Sequence, residues 1–189
     1  MITGSMNPVC EPEPGDYTGG LAEPEDTMQA LSAAQYARLG RLAEAWTRRY
    51  LKAAKTEPHF NPRLAVDALC FQPHPLPDGR RGLLGALVTP VSLSLALVID
   101  DEAAPSSDES RLTLALPSGR YPFAWEPLGE GDEGRPAVND GSDGDQGELA
   151  GCWRCELLED LSDLDSRQAA SRLAQQLMER VMAPATPAS

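Results

Sequence analysis

Cys152-Trp153-Arg154-Cys155 is the one run in this 189-residue chain whose residue types and spacing match a chemical motif. Two thiols in this spacing serve redox exchange when the first sits at a helix N-terminus, where the dipole lowers its pKa. Here the surrounding residues, Leu149 to Leu158 (LAGCWRCELL), read as a strand. Positions i and i+3 of a strand point to opposite faces, so the two sulfurs would not meet as a local disulfide. A zinc ribbon needs a second pair, which Cys10 and Cys70 do not supply. The expectation is a pair of structural cysteines, with no metal and no cofactor.

The remaining candidates for chemistry are weaker. His59 and His74 both stand in proline-rich connections and read as loop residues. Ser118 has no base at a recognisable spacing, and the chain holds no G-x-S-x-G, Walker loop, G-x-G-x-x-G or H-E-x-x-H. Asn139 to Glu148 (NDGSDGDQGE) repeats carboxylates as a calcium loop does, but no register gives the EF-hand ladder and no helices flank it. With the checklist for an active site unfilled, the chain reads as a binding protein and not as an enzyme.

The elements that would position such residues centre on Leu83 to Ile99, a run of 17 uncharged residues. A membrane span, a buried helix and two strands compete for it. A span needs about 20 apolar residues, and Pro90 at the centre would break a helix of either kind. After the proline, Val91, Leu93, Leu95, Leu97 and Ile99 alternate with Ser92, Ser94, Ala96 and Val98. That is the period of a strand with one face on a core. Gly82 to Val88 is a second strand, and charge closes the pair at both ends.

Around this pair the chain reads in order. Asp26 or Thr27 caps a helix running to about Lys55, with Leu39, Leu42, Trp46 and Tyr50 on its apolar stripe. Its outer face is basic, through Arg38, Arg41, Arg48, Arg49, Lys52 and Lys55. Leu64 to Phe71 is a first strand, on which Leu64, Val66, Ala68 and Cys70 share a core face, and an Asp78-Gly79 turn returns the chain to the central pair. Arg111 to Leu116 and Tyr121 to Glu126 form a hairpin, with Tyr121, Phe123 and Trp125 alternating. Pro122 lacks an N–H, which puts that second strand at or near a sheet edge. Asp163 or Asp165 caps a last helix to about Met182, with Ala170, Leu173, Leu177 and Val181 on one stripe.

The fold class that follows is α+β: a two-layer sandwich in which an antiparallel sheet is packed by an N-terminal and a C-terminal helix, its other face free. Residues 26–183 form the single domain. Residues 1–25 and 184–189 read as disordered tails and 127–148 as a mobile acidic, glycine-rich loop. A net charge of −13 argues against nucleic acid and favours basic partners. No signal or anchor is recognisable, so the expectation is a cytoplasmic protein that does not enter membranes.

Five blocks in fixed order carry a family likeness: NPRLAVDALCF (Asn61 to Phe71), LLGALVTP (Leu83 to Pro90), the strand VSLSLALVI, LPSGRYPF (Leu116 to Phe123) and CELL (Cys155 to Leu158). This succession resembles the assembly chaperones of [NiFe]-hydrogenases, the HybE and HupJ family. Val91 stands where the family places a tryptophan, and Glu156 to Asp160 replaces the family's Ser-Leu-x-Ser-Pro. The resemblance implies a non-enzymatic chaperone that binds the hydrogenase small-subunit precursor, with its twin-arginine signal, and the large subunit. Thr89, Pro90, Val91, Tyr121, Phe123, Trp125 and Cys155 are the expected contact residues. A general protein-binding module of secretion-chaperone shape is the alternative, and a thiol redox protein using Cys152 and Cys155 a third reading.

Overall fold

A computed structural model describes residues 30–100, 105, 110–129 and 149–184. Its element order is α1 (Ala33–Ala54), β1 (Asp67–Pro75), β2 (Arg81–Val88), β3 (Leu93–Ile99), β4 (Arg111–Leu116), β5 (Gly119–Pro127), β6 (Gly151–Leu158) and α2 (Arg167–Met182). The strands make one antiparallel sheet in the order β1-β2-β3-β6-β5-β4. An antiparallel sheet packed by an N-terminal and a C-terminal helix is the α+β architecture expected. No helix among the described residues is long and apolar enough to cross a membrane, and the uncharged run is instead the β2–β3 hairpin, paired from Gly82↔Ile99 to Val88↔Leu93.

The expectation of a free sheet face fails at the centre, because the two helices sit on opposite faces. Leu93, Leu95, Leu97 and Ile99 pack in one cluster with Ala170, Ala174, Met178 and Val181 of α2. Ala96 and Val98 point the other way, into a cluster with Leu42 and Trp46 of α1. Every residue of β3 is therefore buried. Alternation of large apolar with small residues was here a difference between two packed faces, the α1 side needing small side chains. Burial of Leu39, Leu42 and Trp46 contributes roughly 1.5–3 kcal/mol each to holding α1 down.

Helix starts lie later than read. Ser32 caps α1 in a reciprocal box: Gln35 N–H donates to Ser32 Oγ at 3.2 Å, and Ser32 N–H donates to Gln35 Oε1 at 2.8 Å. Asp26 and Thr27 lie outside the described residues. Ser166, and not Asp163 or Asp165, caps α2, accepting from Ala169 N–H at 3.2 Å. Residues 1–29, 130–148 (which include Asn139 to Glu148) and 185–189, where tails and a loop were expected, also lie outside.

β1 departs most from the reading. It begins at Asp67 and runs on through Pro73 and Pro75, which a strand tolerates because β1 is the sheet's edge. His74 is accordingly a strand residue, and burial holds its imidazole below the usual histidine range. The register shifts between Leu69 and Gln72, with Cys70 at φ 56°. This bulge turns Cys70 out to solvent, so it is not the core residue that strand alternation implied. Beyond the bulge, Phe71 lies over Gly85, where an added Cβ would stand 2.4 Å from the ring.

Pro122 pairs with Thr113 on β4, the opposite edge strand. β6 pairs with β5 from Ala124 to Pro127. The proline thus lies next to an edge, as its missing N–H requires. β5 reaches Pro127, and Leu128 and Leu149 are buried under α1. The segment after Glu126 therefore enters the core before leaving the described residues.

Candidate partner-binding site

The turn joining β2 to β3, Thr89-Pro90-Val91-Ser92, is fixed before any partner arrives. Thr89 N–H donates to Ser92 O at 2.9 Å, and Thr89 Oγ1 accepts from Ser92 N–H at 3.0 Å. Asn61 N–H holds Pro90 O at 2.8 Å, while Asn61 Nδ2 donates at 2.8 Å to both Leu161 O and Leu164 O. One buried residue so links the turn, through its backbone N–H, to the chain entering α2, through its side chain. Val91 is left half-buried at the surface.

Beside the turn, Arg154 of β6 organises the polar side chains of the α1 face. Its Nε donates to Ser94 Oγ at 2.7 Å and its Nη2 to Ser92 Oγ at 2.7 Å. Nη1 meets Glu126 Oε2 at 2.6 Å, and Nη2 meets Glu156 Oε2 at 2.9 Å. Ser92 and Ser94, which alternation placed on a solvent face, are instead buried partners of this guanidinium. Such a hub satisfies buried hydroxyls that would otherwise cost about 1–3 kcal/mol each.

Between this hub and the C-terminal half of α1 runs a groove of about 420 Å³. Trp46, Tyr50, Ala53, Ala54 and Val91 supply apolar lining. Glu57, Glu126, Glu156 and Glu159 supply four carboxylates against one arginine, Arg154, with His59 nearby. The helix wall is anchored: Tyr50 Oη donates to Pro127 O at 2.7 Å, and Arg49 Nη1 to Gly129 O at 2.9 Å. Burial pushes the Tyr50 phenol up; the Arg49 hydrogen bond opposes it, and the charge of Glu126 adds to it. The helix that looked basic in sequence thus directs Arg49 to the segment after β5, and Arg38 to Ile99 O and Asp100 at 2.6 and 2.8 Å.

The seven expected contact residues divide. Thr89, Pro90, Phe123 and Cys155 are buried. Phe123 and Cys155 lie in the α2-side cluster, on the face of the sheet opposite α1. Val91, Tyr121 and Trp125 are half-buried and reach it. Val91 lines the groove, whereas Tyr121 lies at the far end of the sheet, its hydroxyl 2.8 Å from Ser118 Oγ. Ser118 Oγ itself donates to Val181 O at 2.7 Å, a tether from the β4–β5 turn to α2. Trp125 pairs with Trp153 across β5 and β6, ring centroids 5.4 Å apart and edge-on.

The two motif cysteines part as the strand geometry required. Cys152 joins the α1-side cluster and Cys155 the α2-side cluster. Burial pushes both thiols up, away from the thiolate that redox exchange uses. Among the described residues no three His, Cys, Asp or Glu side chains converge as metal ligands do. Sequence reasoning missed Glu126, Arg154 and Asn61. Arg154 was visible inside the motif, but except for Glu156 its partners come from β5 and from β3 with the turn before it, distant in the chain.

A family model described as "[NiFe]-hydrogenase assembly, chaperone, HybE" matches residues 37–189. The chain belongs to this family. The HybE-family match covers every strand of the sheet, both walls of the groove and α2. No curated protein sequence matches the chain. Among solved structures it is similar to the solution structure of HybE from Escherichia coli, with 19% identity, a TM-score of 0.49, and coverage of 80% of this chain and 82% of that one.

Proposed function

We propose that this HybE-family assembly chaperone is non-enzymatic, acts in the cytoplasm, and holds the small-subunit precursor of a [NiFe]-hydrogenase by its twin-arginine signal segment, touching the large subunit as well. The observation that carries this reading is an acidic groove beside a rigid turn in a hydrogenase-chaperone fold. A basic signal segment is complementary to four carboxylates, and charge of this kind steers encounter. The half-buried side chains Val91 in the groove and Tyr121 and Trp125 on the sheet offer apolar contact without refolding. Thr89 and Pro90 are the buried part of the turn that carries Val91, and Phe123 and Cys155 belong to the cluster on which Tyr121 and Trp125 pack.

The test is co-purification of the whole chain from a hydrogenase-producing host. Both subunits are expected, the small one with its signal peptide intact. Recovery of neither would refute the reading. Substitution of Val91, Tyr121 and Trp125 by alanine should lower recovery while the fold, followed by circular dichroism, is retained.

A further inference from the structure

The sheet has β1 at one edge and β4 at the other, and the two edges are built differently. β1 carries Pro73, Pro75 and a bulge between Leu69 and Gln72. Prolines and bulges keep an edge from pairing with another chain. β4, Arg111–Leu116 (RLTLAL), has neither, and its register with β5 is regular from Arg111↔Ala124 to Leu116↔Gly119. One bond fixes the phase of this edge: Trp125 N–H donates to Ser110 O at 3.0 Å. Ser110 is thereby turned toward β5, and with it, at alternate positions, Leu112, Leu114 and Leu116. Arg111, Thr113 and Ala115 turn their N–H and C=O groups outward. Pro122 stands opposite Thr113, in a pair that exchanges no bond, where a missing N–H costs nothing. Arg111, Thr113 and Ala115 are exposed, and among the described residues no strand pairs with them.

An open edge offers backbone bonds to any extended chain, so the side chains decide which one fits. Set antiparallel to itself about a two-fold axis at Thr113, β4 places Thr113 opposite Thr113 of the other copy and Arg111 opposite Ala115 of the other copy. Each of these pairs exchanges backbone hydrogen bonds, because all three residues face outward. Like charges directly opposite one another are unfavourable, and in this register none are: arginine meets alanine and threonine meets threonine. On the other face, half-buried Leu112 meets Leu114 of the other copy, in the closer, non-hydrogen-bonded type of pair. That contact extends the apolar layer to which Leu112 and Leu114 already belong. The edge is therefore complementary to itself in backbone, charge and apolar contact together.

We propose that β4 is a self-association edge, through which two copies of this chain join their six-stranded sheets into one across a two-fold axis. An edge pairing of this length buries less surface than a standard stable interface, so the association is weak and concentration-dependent. It uses neither the groove beside α1 nor the turn at Val91, and it stands or falls apart from the client reading.

The test is sedimentation of the whole chain, labelled with nitrogen-15, from about 1 μM to about 1 mM, with amide spectra of the same samples. A monomer–dimer equilibrium is expected, and the amide signals of Arg111, Thr113 and Ala115 should move with concentration. The exposed position 115 reads the register. Ala115→Glu faces Arg111 of the other copy and should tighten the pair by about threefold or more; Ala115→Arg opposes two like charges and should weaken it by as much. Thr113→Pro removes only an outward N–H, so β4 keeps its ladder with β5 while the pair loses its central bonds and should fall apart. Circular dichroism should find all three variants folded. Because each copy carries a net charge of −13, raised salt should favour the native pair. A monomer at every concentration overturns the proposal, as does a dimer of equal strength in the native, Ala115→Glu and Ala115→Arg chains. If the three amides respond only when a hydrogenase subunit is added, the edge receives a client strand and self-pairing is equally overturned.

Discussion

Arg154 Nη1 lies 2.6 Å from Glu126 Oε2, with the two side chains 15% and 17% exposed. A pair so far from water is worth little over an apolar replacement, but removing one member leaves the other charged and unpaired. Arg154→Met should therefore destabilise the chain by about 3–5 kcal/mol, because Glu126 stays behind and Ser92 and Ser94 lose their donor. Adding Glu126→Gln to it should recover a large part of that loss. Urea denaturation of the two single variants and the double one checks both statements. Additive losses would mean that the contact couples nothing.

Gly85 and Phe71 give a steric prediction. A methyl group at position 85 would fall 2.4 Å from the Phe71 ring and 2.7 Å from its Cα. The backbone contact is not one that a rotamer change relieves. Gly85→Ala is expected to cost about 1–3 kcal/mol as an overpacking defect, and Phe71→Leu in the same chain should return part of it. Thermal unfolding of the single and double variants distinguishes overpacking from a general intolerance of β2 to substitution.

The sequence and the fold agree where the controlling interactions are local. Period-two alternation with a proline between two apolar runs defines the β2–β3 hairpin from adjacent residues, and the separation of Cys152 from Cys155 follows from strand geometry alone. The departures come from contacts across the sheet. Ser92 and Ser94 resemble solvent-facing positions until Arg154 arrives from β6, and that strand's place between β3 and β5 is a pairing across long sequence separation. Pro73 and Pro75 signal a loop unless β1 is known to be an edge. Cys70 leaves the core through a bulge opposite β2 that no pattern within its own strand discloses. Of the candidate site, the turn and Val91 were legible, but Trp46 resembled an ordinary core residue of an amphipathic helix and Glu126 the end of a hairpin.

Asn61 joins two segments, its backbone N–H holding Pro90 O of the turn and its side chain holding the chain that enters α2, and substitution removes the second hold. Its Nδ2 serves Leu161 O and Leu164 O, and its Oδ1 accepts from Arg63 N–H at 3.0 Å. Asn61→Ala leaves those two carbonyls without this donor and should cost about 1–3 kcal/mol. Asn61→Asp keeps the shape but turns an oxygen toward the carbonyls, so it should be at least as harmful. Hydrogen exchange should quicken first at Thr89, Ser92 and Leu164, whose amides belong to the tied segments. A uniform loss of protection instead would place Asn61's role in global stability and not in the turn.

The cysteines make a prediction about alkaline stability and thiol reactivity together. Burial, with Glu126 acting in the same direction, pushes the Cys152 thiol far up from its ordinary value of 9.0. Above the unfolded pKa the unfolded chain has released this proton and the folded chain has not, so the unfolded state binds fewer protons and stability falls as pH rises. Below about pH 8 the contribution is fully present; above about pH 9 it should decline by roughly 1.4 kcal/mol per pH unit until the folded pKa is reached. Cys152→Ala should flatten that slope in urea titrations between neutral and alkaline pH, at the cost of a small cavity. Under native conditions a thiol reagent should modify exposed Cys70 well before Cys152 or Cys155, which should react only as the chain unfolds. Rapid native labelling of Cys152, or a Cys152–Cys155 disulfide forming without unfolding, would contradict the placement of these two sulfurs on opposite faces of β6.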